Sequence, residues 1–144
     1  MVLKNLKFKM NKTLITIPAS IGELYDKISI LEIKIDRMDD KRQLKNIKKE
    51  LRLLKEISNQ FKIPDELYQK LKLVNEEMWD AEDKRRDKEK TKTFDDEFIE
   101  LARIDHFKND ARAVVKKEIN ILLNSHIIEE KSYKKTNGKF DYEM

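Results

Sequence analysis

This sequence predicts an all-α fold, an antiparallel four-helix bundle with room for a short N-terminal β-hairpin ahead of it. Three observations carry that expectation. Charged residues make up 42% of the 144 positions, while glycine and proline supply only two each. That is too little punctuation for a sandwich, a barrel or a glycine-rich phosphate loop. Apolar residues recur at three- and four-residue spacing through four successive segments, and each segment opens on a capping signal.

Residues 1–17 read as a basic N-terminal hairpin or arm. Leu6, Phe8 and Met10 alternate with polar residues, Asn11-Lys12 can turn the chain, and the β-branched run Thr13 to Ile17 stops at Pro18. Residues 18–133 form the helical bundle domain. Ser20 with Glu23 has capping-box spacing and starts a first helix from about Ile21 to Met38. Asp39 or Asp40 caps the second helix, in which Leu44, Ile47, Leu51, Leu54 and Phe61 recur at helical spacing. Pro64-Asp65 opens the third, with Leu67, Leu71, Val74, Met78 and Ala81 on one face. Thr93 with Asp96 starts the fourth, carried by Phe98, Leu101, Ile104, Ala111, Val115, Ile119 and Leu122. Residues 134–144 read as a flexible tail. The short connections make neighbouring helices antiparallel.

Composition removes several function classes. There is no cysteine, so disulfides and thiolate metal sites are excluded, and the two histidines, His106 and His126, do not make a zinc site. No apolar run reaches the roughly 18 residues of a membrane span, and no signal peptide opens the chain. A soluble, cytoplasmic protein with no membrane partner is expected. The net charge of +4 resides in Lys4, Lys7, Lys9 and Lys12, because residues 1–22 hold no acid and the remainder is balanced. Basic clusters such as Lys84-Arg85-Arg86 are interleaved with Asp83, Asp87 and Glu89, which argues against a nucleic-acid partner.

Charges that break the apolar pattern locate a candidate site. Each residue turns a helix by about 100°, so every side chain can be placed against its apolar stripe. Helix 4 puts Lys108 on the centre of its stripe, with Asp105 and Arg112 close by and Asn109 and Lys116 just beyond. Helix 1 sets Glu32 one turn from Ile28 and Ile35, and its far side is apolar at Ile30 and Ile33, as in a central helix or one covered by the N-terminal hairpin. The only tryptophan, Trp79, sits among Glu76, Glu77, Asp80, Glu82 and Asp83. On helix 3, Asn75, Trp79, Glu82 and Arg86 share a stripe at the core's edge, while Glu76, Asp80 and Asp83 face water. Helix 2 carries no intrusive charge. A pocket would therefore lie among helices 1, 3 and 4.

The expected ligand is an anionic small molecule bearing phosphate or carboxylate. Lys108 and Arg112 would contact the anion, Asn75 and Asn109 orient it, and Trp79 pack on its apolar part, with Asp105 and Glu82 completing the lining. Glu32 and Glu82 are the candidates for moving protons, and a desolvated Glu32 should have a raised pKa. Whether the chain is an enzyme stays open, and no cofactor is called for. Two alternatives stand beside this reading. Glu32, Glu82 and Asp105 can instead form an ion-pair network with Lys108, Arg112 and Arg86 that needs no ligand, in a protein that forms homodimers through its helix faces. The acids Glu76-Glu77-x-x-Asp80 followed by Glu97-x-x-Glu100 resemble the magnesium-binding pattern of helical nucleotide pyrophosphohydrolases, which would make the chain a magnesium-dependent hydrolase. Lys27, Glu32, Lys108 and Arg112 could imitate a helical chorismate mutase, but Asp26 and Arg37 are out of that family's register.

A further resemblance spans the bundle domain. Ile21-Gly22-Glu23, Asp26-Lys27, Ile30-Leu31-Glu32-Ile33-Lys34, Trp79 with Glu82-Asp83, Asn109-Asp110-x-Arg112 and Glu129 to Tyr133 resemble a small, uncharacterised all-helical family of bacteria and bacteriophages. The resemblance implies one domain from about residue 18 to 133. It brings no established activity.

Overall fold

The computed structural model describes residues 12–132, and within them the chain forms four helices and no strand. The helices are α1 (Ile21–Arg37), α2 (Lys41–Ser58), α3 (Asp65–Lys90) and α4 (Asp96–Leu122). Of the hairpin expected at the N-terminus, Thr13 to Ile17 falls among the described residues. This half of the hairpin carries no strand among the described residues, and Leu14, Ile15 and Ile17 are exposed. Its other half, with Leu6, Phe8 and Met10, lies outside the described residues, as does the tail beyond 132.

Capping chemistry sets the helix ends. Ser20 Oγ accepts from Glu23 N, Asp40 from Gln43 N, and Asp95 from Phe98 N. The cap of α4 is therefore Asp95, two residues past the expected Thr93. Pro64 precedes α3 without a side-chain cap, and Asp65 and Glu66 in its first turn complement the helix dipole instead. Helix α2 stops at Ser58, before Phe61. The C-terminus of α4 closes in a Schellman motif: Asn124 takes φ 52°, its N–H bonds to Ile121 O, and Ser125 N bonds to Asn120 O at 2.8 Å.

Contacts fix the helix directions. Tyr25, Ser29 and Arg37 of α1 meet Tyr68, Asn75 and Asp80 of α3 in ascending order, so these two run parallel. Lys70, Asn75, Glu77 and Arg85 of α3 meet Glu118, Arg112, Lys108 and Asp105 of α4 in descending order, so that pair is antiparallel. Helix α1 packs on all three others, and α2 packs along α1. The apolar far side of α1 fits this central place, with Ile33 buried and Ile30 half-buried. Tyr25, Ile28, Leu71, Val115 and Ile119 form the core, with Leu24, Leu51, Leu54 and Leu67 packed around it. Burying each such side chain contributes about 1.5–3 kcal/mol.

Candidate functional site

Where α1, α3 and α4 meet, the interior turns polar. Asp26 and Ser29 of α1, Asn75 of α3 and Asn120 of α4 are all buried, Ser29 completely. Asn75 is the hub. Its Nδ2 donates to Asp26 Oδ1 at 2.7 Å and to Ser29 Oγ at 2.8 Å, and its Oδ1 accepts from Arg112 Nη1 at 3.2 Å. The second Asp26 oxygen lies 3.3 Å from Lys116 Nζ, which also reaches Glu23 at 2.6 Å and Glu129 at 3.7 Å. Burial disfavours the Lys116 charge, but its hydrogen bonds and charge pairing with Glu23 and Asp26 outweigh that, and its pKa is raised.

The same junction holds the start of α1 against the end of α4. Ile21 N donates to Ser125 Oγ at 3.1 Å and Gly22 N to Asn120 Oδ1 at 2.6 Å. With Ser20 serving Glu23 N and Leu24 N bonded to Ser20 O, all four first-turn donors of α1 have partners. Gly22 is required by proximity: a Cβ there would stand 2.5 Å from Lys116 O and 2.9 Å from Asn120 Oδ1.

Arg112 is held differently from every other cation at the junction. Its Nη2 donates to Asn109 Oδ1 at 2.7 Å and its Nη1 to Asn75. Both partners are neutral amide oxygens. Among the described residues no carboxylate lies within ion-pair distance of this half-buried guanidinium. Asn75, Asn109 and Arg112, three of the expected lining residues, are thus brought together as the sequence suggested.

The other expected lining residues do not join this hydrogen-bonded set. Lys108 is paired with Glu77 of α3 at 2.7 Å. Glu82 is half-exposed and pairs with Arg86 and Arg85 of its own helix, and Asp105 meets Arg85 at 3.2 Å. Trp79, one turn beyond Asn75, is half-buried. Glu32 lies on the α2 side of α1, where it accepts from Tyr68 Oη at 2.7 Å and pairs with Lys55 and Lys72. Desolvation pushes its pKa upward, but the Tyr68 hydrogen bond and the two lysines prevail and the net shift is downward. The raised pKa expected of Glu32 is corrected accordingly: partners supplied by α2 and α3 stabilise its charged form. Tyr68 in turn has a raised pKa, through burial and its bond to Glu32.

The acids of the magnesium pattern also disperse. Glu77 pairs with Lys108, Asp80 with Arg37, Glu97 with Lys88 and Glu100 with Arg103, while Glu76 is half-buried and its charge acts on Arg37. Among the described residues no three potential metal ligands converge. Sequence reasoning missed Gly22, Asp26, Ser29 and Asn120 as parts of the junction, although the segments Ile21-Gly22-Glu23 and Asp26-Lys27 belonged to the resemblance noted above.

A family profile covers residues 15–139, nearly the whole described chain and the entire junction. The chain belongs to DUF6165, a family of unknown function. Comparisons with curated proteins and with solved structures found no match. This DUF6165 protein has, among its described residues, no helix long and apolar enough to cross a membrane.

Proposed function

We propose that this protein binds a small anion, bearing phosphate or carboxylate, at Arg112 on the edge of the α1/α3/α4 junction. The observation that carries the reading is the Arg112 guanidinium, half-buried, oriented by two amide oxygens and lacking a carboxylate partner among the described residues. A guanidinium presents five N–H donors, and two are used here, so carboxylate or phosphate oxygens can accept from the rest. Asn75 ties Arg112 to the buried Asp26 and Ser29, which keeps the donor fork in place before a ligand arrives. Such preorganisation reduces the ordering cost of binding. Trp79, in the next turn of α3, is the nearest large aromatic along the helix for an apolar part of the ligand. In this reading the protein works in the cytoplasm of a bacterial or phage-infected cell.

A thermal-shift screen of phosphorylated and carboxylated metabolites tests the proposal, run on the unaltered chain and on Arg112→Ala. A ligand at a hundred times its Kd adds about 2.7 kcal/mol, which raises Tm by about 5 °C or more in a chain of this size. Stabilisation that disappears in Arg112→Ala supports the site. No stabilising anion, or one indifferent to Arg112, removes it.

Self-association is a second reading, favoured by Val114 and Ile121, which lie one heptad apart on α4 and are 58% and 62% exposed. A concentration-dependent mass in sedimentation that Val114→Glu abolishes would support it. A monomer at all concentrations would end it.

A further inference from the structure

The surface of α2 carries a second feature, remote in role from Arg112. At about 100° per residue, Lys41, Lys45, Lys48, Arg52 and Lys55 fall within about 40° of one line along the helix. All five are exposed. The line is about 21 Å long, with a charge every three or four residues. Within α2, seven basic residues accompany only two acids, a balance of +5. Residues 1–22 account for the chain's net +4, so everything outside these two segments carries −5. The helix and the rest of the bundle are oppositely charged.

Nearby acids neutralise only part of this line. Glu56 pairs with Arg52 and Glu32 with Lys55, and Asp39 and Asp40 precede the helix, where Asp40 is engaged as its cap. Lys41, Lys45 and Lys48 make no ion pair with any described residue. An open groove of about 380 Å³ runs beside the C-terminal half, lined by Lys48, Leu51, Arg52, Lys55, Glu56 and Asn59. We propose that α2 is a docking surface for the phosphodiester backbone of a nucleic acid. A straight file of cations complements a linear polyanion, and releasing condensed counter-ions favours that contact. A lipid surface fits less well, because Ile47 is buried, Leu51 and Leu54 are packed against the core, and Ile57 alone of the large apolar side chains of α2 is exposed, too little to anchor the helix in a membrane. Lysine and arginine on phosphates set position without reading bases, so the binding has no sequence preference. Nucleic acid was not expected from the linear sequence, where the interleaved acids weighed against it were those around Lys84-Arg85-Arg86; α2 itself holds only Glu50 and Glu56, of which Glu56 alone meets the stripe, at Arg52.

Fluorescence anisotropy of the full chain with a labelled DNA duplex and a single-stranded RNA, each of about 20 nucleotides per strand, tests the proposal against Lys45→Gln/Lys48→Gln. If about four phosphates are neutralised, log affinity falls with log salt at a slope of about −3.6 on duplex, a loss of about 50-fold between about 50 and 150 mM salt. The double variant should bind more weakly, with a slope near about −1.8 and a loss of about 7-fold over that range. Both positions are exposed, so an unchanged melting curve certifies the fold. Absence of binding to either nucleic acid at about 50 mM salt and about 100 µM protein overturns the proposal. Binding that the double variant leaves intact overturns it too, since Lys4, Lys7, Lys9 and Lys12 would then carry the affinity. Capture by phosphatidylserine vesicles without nucleic-acid binding would likewise refute it, in favour of a membrane surface.

Discussion

Gly22→Ala is the perturbation whose size can be worked most directly from the structure. The added methyl would lie 2.5 Å from Lys116 O and 3.1 Å from Lys116 C, both backbone atoms of α4 that no side-chain rotation can move. Helices α1 and α4 must part, and overpacking of this kind costs about 1–3 kcal/mol. Parting them also stretches the 2.6 Å bond from Gly22 N to Asn120 Oδ1. Leaving the buried Asn120 oxygen short of a donor costs about 1–3 kcal/mol more. Alanine returns at most about 1 kcal/mol through its better helix propensity. The net loss is about 2–4 kcal/mol, or a Tm lower by about 5–15 °C at this chain length. Urea unfolding followed by circular dichroism measures it. Asn120→Ala, measured alongside, isolates the hydrogen bond, because it removes that bond while leaving the Lys116 backbone in place. A Gly22→Ala protein within about 0.5 kcal/mol of the parent would refute the close approach.

Three further outcomes follow from the same contacts. Lys116→Met leaves Asp26 buried with its Oδ2 unpaired, and should destabilise the fold by about 3–5 kcal/mol in chemical denaturation; Lys116→Arg should recover much of this, and equal losses in both would argue against the charge pairing. Glu32 has a lowered pKa in the folded chain, so its contribution is complete above its ordinary value of about 4.5 and disappears as pH falls through the folded one. Tm profiles of the parent and Glu32→Gln should therefore differ at neutral pH and converge in acid, whereas a constant gap would show that the charge is not involved. Asn75→Leu removes the donor shared by Asp26 and Ser29 and frees Arg112, so it should lower stability by about 2–3 kcal/mol and weaken any Arg112-dependent anion; unchanged stability would contradict the hub geometry.

Much of the fold was legible in the sequence because caps and apolar spacing are local. Ser20, Asp40 and Pro64 each mark a helix start in the structure, and the two-residue error at α4 arose because Thr93 and Asp95 both have capping side chains. The strand-like run Thr13 to Ile17 has β propensity but no partner strand among the described residues, and propensity alone does not pair a strand. At the junction, Asn75, Asn109 and Arg112 were legible from their angles on single helices. Their partners were not. Asp26 and Ser29 lie off the stripe that holds Glu32, and they are buried because α1 is covered by three helices, a fact of topology that a helical wheel does not contain. Lys108 was correctly read as turned inward, yet its partner Glu77 comes from another helix whose rotation only packing determines.

The tie between the start of α1 and the end of α4 also bears on the order in which the chain folds. Helices α1 and α2 form one local hairpin and α3 and α4 another, each joined by a short connection. The bonds from Gly22 to Asn120 and from Ile21 to Ser125 span 98 and 104 residues. Closing loops of that length is slow to be repaid, so the hairpins should assemble first and the clamp last. Contacts made after the barrier govern how quickly a structure comes apart. Asn120→Ala should accordingly hasten unfolding and leave the refolding rate nearly unchanged in stopped-flow chevrons, making this small clamp a determinant of the protein's lifetime in the folded state.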